Sequence, residues 1–173
     1  MAMKVFNVGD VLGASDTNEY LVNTKYVAKP ASPGGDTSRA SNTTLTNDPD
    51  LSLAVDANKS YEVTVRLQYL STSTANLKIS FNVPGSATFS GAIFAVGAGG
   101  SSVSITVVDA GAPITGTFHV AGFASFDGAL EVSGILNTAG AAGNFTLQWA
   151  QDTSAGTTTI MRGGSSMLLR RVA

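Results

Sequence analysis

From Asn42 onward, apolar and polar positions alternate along this chain with a period of two. Tyr61, Val63, Val65, Leu67 and Tyr69 are separated by Glu62, Thr64, Arg66 and Gln68. An extended chain sends successive side chains to opposite faces, so this run predicts a strand with one dry and one wet face. Leu77, Ile79, Phe81 and Val83 repeat the pattern, and Pro84-Gly85 ends it. The same alternation marks Val103, Ile105 and Val107; then Phe118 and Val120; then Leu130, Val132 and, past Gly134, Leu136; then Phe145, Leu147 and Trp149. With residues 43–55, 88–96, 157–161 and 165–172, the total is about eight to ten strands. No helical period separates them, so the strands are expected to pair antiparallel, and their spacing predicts a mainly β fold, an antiparallel β-sandwich or jelly roll. Its expected core holds Val63, Val65, Leu67, Leu77, Ile79, Phe81, Leu130, Val132, Phe145, Leu147 and Trp149. Tyr61 and Tyr69 follow the same core-facing pattern.

Residues 1–41 read differently, as an N-terminal arm ahead of a sandwich domain over 42–173. Asp16 can cap a helix start, with Glu19 three residues on, and Tyr20, Leu21 and Val22 follow. One short helix is expected there. Pro30-Ala31-Ser32-Pro33-Gly34-Gly35-Asp36 has the composition of a linker. A helix of two or three turns is marginal alone in water, so it needs a surface to dock on. Val5, Phe6, Val11, Leu12, Tyr20, Leu21 and Val22 are therefore expected to form an attachment element that grips a partner.

Charge changes the picture by what it excludes. Only 13% of the residues are charged, and the formal net charge is −2, against a usual charged share of ~25%. Lys and Arg are scattered, with no basic stripe for nucleic acid. No apolar run approaches the ~20 residues of a membrane helix, and the first 13 residues lack a signal-peptide core. There is no Cys, which removes disulfides and thiolate metal sites. A surface poor in charge suits permanent contact with neighbouring subunits, because burying ions is costly.

Candidate chemistry is sparse. His119 is the only histidine, placed in a strand between Phe118 and Val120, and reads as a solvent-facing or interface residue. Asp48 and Asp50 flank Pro49. Their oxygens could serve calcium, but the spacing of a calcium loop is missing, and Asn, Asp and Pro together favour a turn. Asp127 and Asp152 also sit in turn contexts. Gly97-Ala98-Gly99-Gly100 and Gly111-Ala112-Pro113 precede strands rather than a helix, so they read as loop tips and not as phosphate cradles. Trp149 shares its alternation with core residues and reads as core rather than as a sugar platform. No catalytic, cofactor-binding or metal residue is assigned, no cofactor is expected, and an enzyme is not expected.

Five segments, in order, carry a resemblance. They are residues 9–21 (GDVLGASDTNEYL), 41–55 (SNTTLTNDPDLSLAV), 81–88 (FNVPGSAT), 147–154 (LQWAQDTS) and 164–172 (GSSMLLRRV). Together they resemble a family of small virion surface proteins from tailed phages of actinobacteria, of the head-decoration or minor-tail type. The first departs from the family pattern at Gly13, where Thr is usual. The last is similar to the final strand of trimeric jelly rolls of the tumour-necrosis-factor type. The resemblance implies a structural virion protein made in the host cytoplasm, with capsid decoration as a homotrimer the preferred role. Its partners would be major capsid or tail proteins and its own copies, with no nucleic acid and no membrane. A minor tail or tail-fibre protein is the nearest alternative, and a receptor- or carbohydrate-binding module the next.

Overall fold

A computed structural model describes residues 23–97, 103–112, 117–122 and 127–172. These form twelve strands: β1 (Thr24–Ala28), β2 (Thr37–Arg39), β3 (Thr46–Val55), β4 (Ser60–Leu70), β5 (Leu77–Asn82), β6 (Thr88–Gly97), β7 (Val103–Ala112), β8 (Phe118–Val120), β9 (Gly128–Asn137), β10 (Gly143–Gln151), β11 (Thr159–Met161) and β12 (Ser166–Arg171). The eight-stranded sheet runs β1-β12-β4-β9-β6-β7, with β11 pairing both β4 and β2; the smaller sheet runs β3-β10-β5-β8. Every pairing is antiparallel. This is the antiparallel sandwich that the alternation predicts.

The core lies between the two sheets. From the larger sheet come Tyr61, Val63, Val65, Leu67 and Tyr69 of β4, Leu130, Val132 and Leu136 of β9, and Met167 and Leu169 of β12. From the smaller come Leu51, Leu53 and Val55 of β3, Leu77, Ile79 and Phe81 of β5, and Phe145, Leu147 and Trp149 of β10. Phe81 and Phe145 stack with ring centroids 4.8 Å apart. All eleven core residues expected from the alternation are buried, because a strand register fixed at one position fixes every second side chain after it.

Two readings of local composition change. β1 and β2 lie inside residues 1–41, the stretch that sequence composition sets apart as an arm, and are hydrogen-bonded into the larger sheet. Thr24 to Ala28 pair with Arg170 to Ser166, and Thr37 to Arg39 pair with Met161 to Thr159. The sheet therefore takes in residues from Thr24 onward. The segment read as a linker is a held turn. The Asp36 carboxylate accepts from the Gly163 backbone N–H at 2.7 Å and from Arg162 Nη1 at 2.9 Å. The Gly164 N–H donates to the Pro30 carbonyl at 3.2 Å, and a Cβ on Gly163 would come within 2.3 Å of the same oxygen. The second change concerns Asp48-Pro49-Asp50. It belongs to β3, at a register shift against β10 between Thr146 and Gln148. Asp48 does form the local bonds of a turn: its Oδ1 accepts from the N–H groups of Asp50 and Leu51 at 3.0 and 3.2 Å. The strand continues through it as a bulge. The expected short helix lies outside the described residues.

Candidate interaction face

The outward side of the larger sheet is built from the residues that alternate with the core. Register brings Tyr26 of β1 opposite Leu168 of β12, Leu168 opposite Thr64 of β4, and Thr64 opposite Ser133 of β9. The next row sets Ser166 opposite Arg66, Arg66 opposite Glu131, and Glu131 opposite Phe94 of β6. Tyr26 is 63% exposed, Phe94 40% and Ile135 36%. Arg66 Nε donates to Glu131 Oε2 at 3.2 Å, and Arg170 pairs with Glu62 across β12 and β4. Exposed pairs of this kind add little stability. They leave the face electrically balanced, with its aromatic side chains standing among paired charges. A groove of about 480 Å³ runs over β4, β9 and β6, lined by Arg66, Gln68, Phe94, Ala129 and Glu131. A smaller hollow lies beside Tyr26, bounded by Thr64, Arg66, Ser166 and Leu168.

His119 stands on β8, at the edge of the smaller sheet, with its side chain 63% exposed. Its Nδ1 lies 2.7 Å from Asp152 Oδ1. Asn76, Val120 and Ala121 complete the shallow pocket around them. The sequence leaves His119 as a solvent-facing or interface residue and carries no sign of its pairing with Asp152, which lies in the loop just past β10. A His–carboxylate pair can orient an imidazole for base catalysis. Among the described residues, those that line this pocket carry no hydroxyl or thiol.

A third cluster lies inside the fold. The Lys29 side chain, just past β1, is fully buried. Its Nζ donates to Asp48 Oδ1 at 3.0 Å and Oδ2 at 3.3 Å, to Asp50 Oδ2 at 2.6 Å, and to Thr37 Oγ1 at 2.9 Å. Asp48 is as buried as Lys29, whereas Asp50 keeps 38% of its side chain exposed. Trp149 Nε1 donates to Asp48 Oδ2 at 3.0 Å, and the Arg39 guanidinium lies over the Trp149 ring at 3.9 Å. Burial lowers the Arg39 pKa, and the negative charge of Asp48 works against that shift. The carboxylates that could have served calcium thus face an ammonium. Among the described residues no group of His, Asp and Glu is placed to hold a metal ion. Lys29 carries no signal in the sequence, since its carboxylate partners lie 19 and 21 residues away on another sheet.

Val5, Phe6, Val11, Leu12, Tyr20, Leu21 and Val22, the expected attachment residues, lie outside the described residues.

No family model matches the sequence, and no curated protein matches it significantly. Among solved structures, the chain is similar to the tripod from the baseplate of bacteriophage Tuc2009, at 12% identity and a TM-score of 0.39, covering 99% of this chain and 75% of that one. It is also similar to the CBM22-1–GH10 modules of xylanase 10B from Clostridium thermocellum, solved with xylohexaose. There the identity is 15% and the TM-score 0.29, covering 86% of this chain and 25% of that one. A structure of infectious bursal disease virus, strain Gt, aligns at 14% identity and a TM-score of 0.21, covering 87% of this chain and 38% of that one. At these TM-scores none of the three decides fold or role, and both rest on the chain's own residues.

Proposed function

We propose that this protein is a non-enzymatic structural component of a tailed bacteriophage particle, and that it decorates the capsid as a homotrimer. The observation that carries the reading is the division of labour between the two sides of the larger sheet. The inner side is spent on the core, while the outer side presents Tyr26, Phe94, Ile135 and Leu168 among internally paired charges. Such a face, low in unpaired charge and bearing aromatic side chains, suits the centre of a subunit contact. The five segments resembling phage virion surface proteins supply the setting, and the apolar residues of the first 22 positions supply a means of attachment to capsid or tail. Sedimentation equilibrium of the purified chain at micromolar concentration tests the assembly state. Three times the chain mass is expected, and a stable folded monomer overturns the trimer.

One observation favours a second reading, a glycan-binding module. Phe94 stands in the open groove beside Arg66, Gln68 and Glu131, an aromatic surface next to planar polar groups. Sugars stack on such rings and bond such groups. A Phe94→Ala variant that loses retention on host cell-wall glycan, while remaining trimeric, would favour this role over decoration.

A further inference from the structure

We propose that Lys29 and Asp48 condense into an intramolecular isopeptide bond, with Asp50 carrying the protons. The three side chains already hold the positions that the reaction needs. Lys29 Nζ lies within 3.3 Å of both Asp48 oxygens, so the carbon that bears them is the electrophile within its reach. Asp50 meets the same nitrogen through one oxygen at 2.6 Å, the arrangement of a proton acceptor rather than of an acyl donor. Asp48 is polarised from three sides. Its Oδ1 accepts from the Asp50 and Leu51 N–H groups, and its Oδ2 accepts from the Trp149 indole. Donors fixed in this way stabilise the oxyanion that forms when an amine adds to a carboxyl group.

The step balances without an outside reagent. The Asp50 carboxylate takes a proton from the Lys29 ammonium and leaves a neutral amine. Asp50 passes that proton on to an Asp48 oxygen, which leaves the carboxyl neutral and open to attack. The nitrogen lone pair then forms the N–Cγ bond to Asp48, a second proton leaves the nitrogen for the oxygen already protonated, and the C–O bond breaks to release water. An ammonium and a carboxylate become an amide and one water, and Asp50 ends as the carboxylate it began as. Holding charges away from water is costly, and the condensation removes two of them from a fully buried site. Burial also keeps out the bulk water that would favour the reverse reaction. The bond would tie the end of β1, in the larger sheet, to β3 in the smaller one, and so staple the two layers of a chain that has no Cys.

The test is intact-mass spectrometry of the purified full-length protein, followed by tandem spectra of its proteolytic peptides. The expected mass is lower than that of the sequence by one water, with the peptide holding Lys29 joined to the peptide holding Asp48. Asp50→Ala should restore the full mass, and Lys29→Arg should do the same. Asp48→Asn should give a chain lighter by one ammonia, since the amide then becomes the leaving group. A wild-type chain at its full sequence mass overturns the proposal. So does a water loss that maps elsewhere, such as a succinimide at Asp127-Gly128.

Discussion

The indole N–H of Trp149 donates to Oδ2 of Asp48 at 3.0 Å, joining β10 to β3 within the core. The ring is fully buried, and its other face carries the Arg39 guanidinium. One side chain thus supplies apolar bulk, a cation–π surface and the donor that satisfies a buried carboxylate. Trp149→Phe keeps a ring in place and removes the donor. Leaving a buried acceptor short of a partner costs about 1–3 kcal/mol, to which the lost volume adds. Urea unfolding measures the loss, and a variant as stable as the parent would show that Asp48 does not depend on the indole.

Gly91 of β6 faces Gly134 of β9, and the Phe89 ring fills the space that two side chains would occupy. A Cβ on Gly134 would sit 2.4 Å from the Ser90 carbonyl oxygen and 2.5 Å from Phe89 Cζ. The first of these is backbone and cannot swing away. Gly134→Val should therefore destabilise the protein by about 1–3 kcal/mol or more, as overpacking does. At the open positions Gly140 and Gly156, where a Cβ would meet nothing within 4 Å, substitution by Ala should be close to neutral. Equal melting temperatures for the Gly134 and Gly140 variants would refute the packing argument.

Two groups give stability a dependence on pH, at opposite ends. The Gly163 N–H, together with Arg162 and Ser32, holds the Asp36 carboxyl below its ordinary pKa, against partial desolvation that raises it. A depressed folded value means that the contribution is present above the unfolded Asp range, near about 3.9, and is lost as pH falls through the folded value. Burial pushes the Tyr69 phenol up to about 12. A raised value means the reverse: the contribution is intact below the unfolded Tyr value of about 10 and lost as pH rises through the folded one. Melting temperature against pH should fall at both extremes. Asp36→Asn should flatten the acid limb alone, and Tyr69→Phe the alkaline limb alone. If neither variant alters its limb, these groups do not set it.

The strands and the core could be read directly, because alternation is local and one buried residue implies the next. Val63, Leu147 and Trp149 needed no knowledge of their partners. The start of the sandwich could not be read in this way. The inward side of β1 holds only Lys25 and Val27, and Lys29 follows just past the strand, so a single Val stands where a core pattern would have shown a run of apolar residues. β2 has three residues, too few for a period. Their partners, β12 and β11, lie near the other end of the chain. Asp48-Pro49-Asp50 has turn chemistry and makes turn-like bonds, and only the pairing with β10 shows that the strand runs on through them. The Lys29 cluster and the His119–Asp152 pair both depend on contacts between sheets or loops, which spacing in the sequence does not encode.

The boundary at Thr24 also sets where the chain can be cut. Deleting residues 1–29 would remove β1 and Lys29 with the arm; deleting residues 1–22 spares both. The chain shortened by 22 residues should still melt cooperatively and keep its assembly state. It should no longer bind particles that lack the protein, because Val5, Phe6, Val11, Leu12, Tyr20, Leu21 and Val22 go with the deleted segment. Buried against a partner, such a set contributes at about 25 cal/mol per Å² before ordering costs. Particle binding that survives the deletion would move attachment onto the sandwich itself.

The central claim, that this chain is a virion structural protein of the decoration type, is tested most directly by a density map of the intact phage particle whose genome encodes it. The account predicts the sandwich in clusters of three on the outer surface of the head, with residues 1–22 running to the capsid shell beneath. Density for the sandwich on the tail would contradict decoration, and a particle with no density for the sandwich anywhere would contradict the structural role itself.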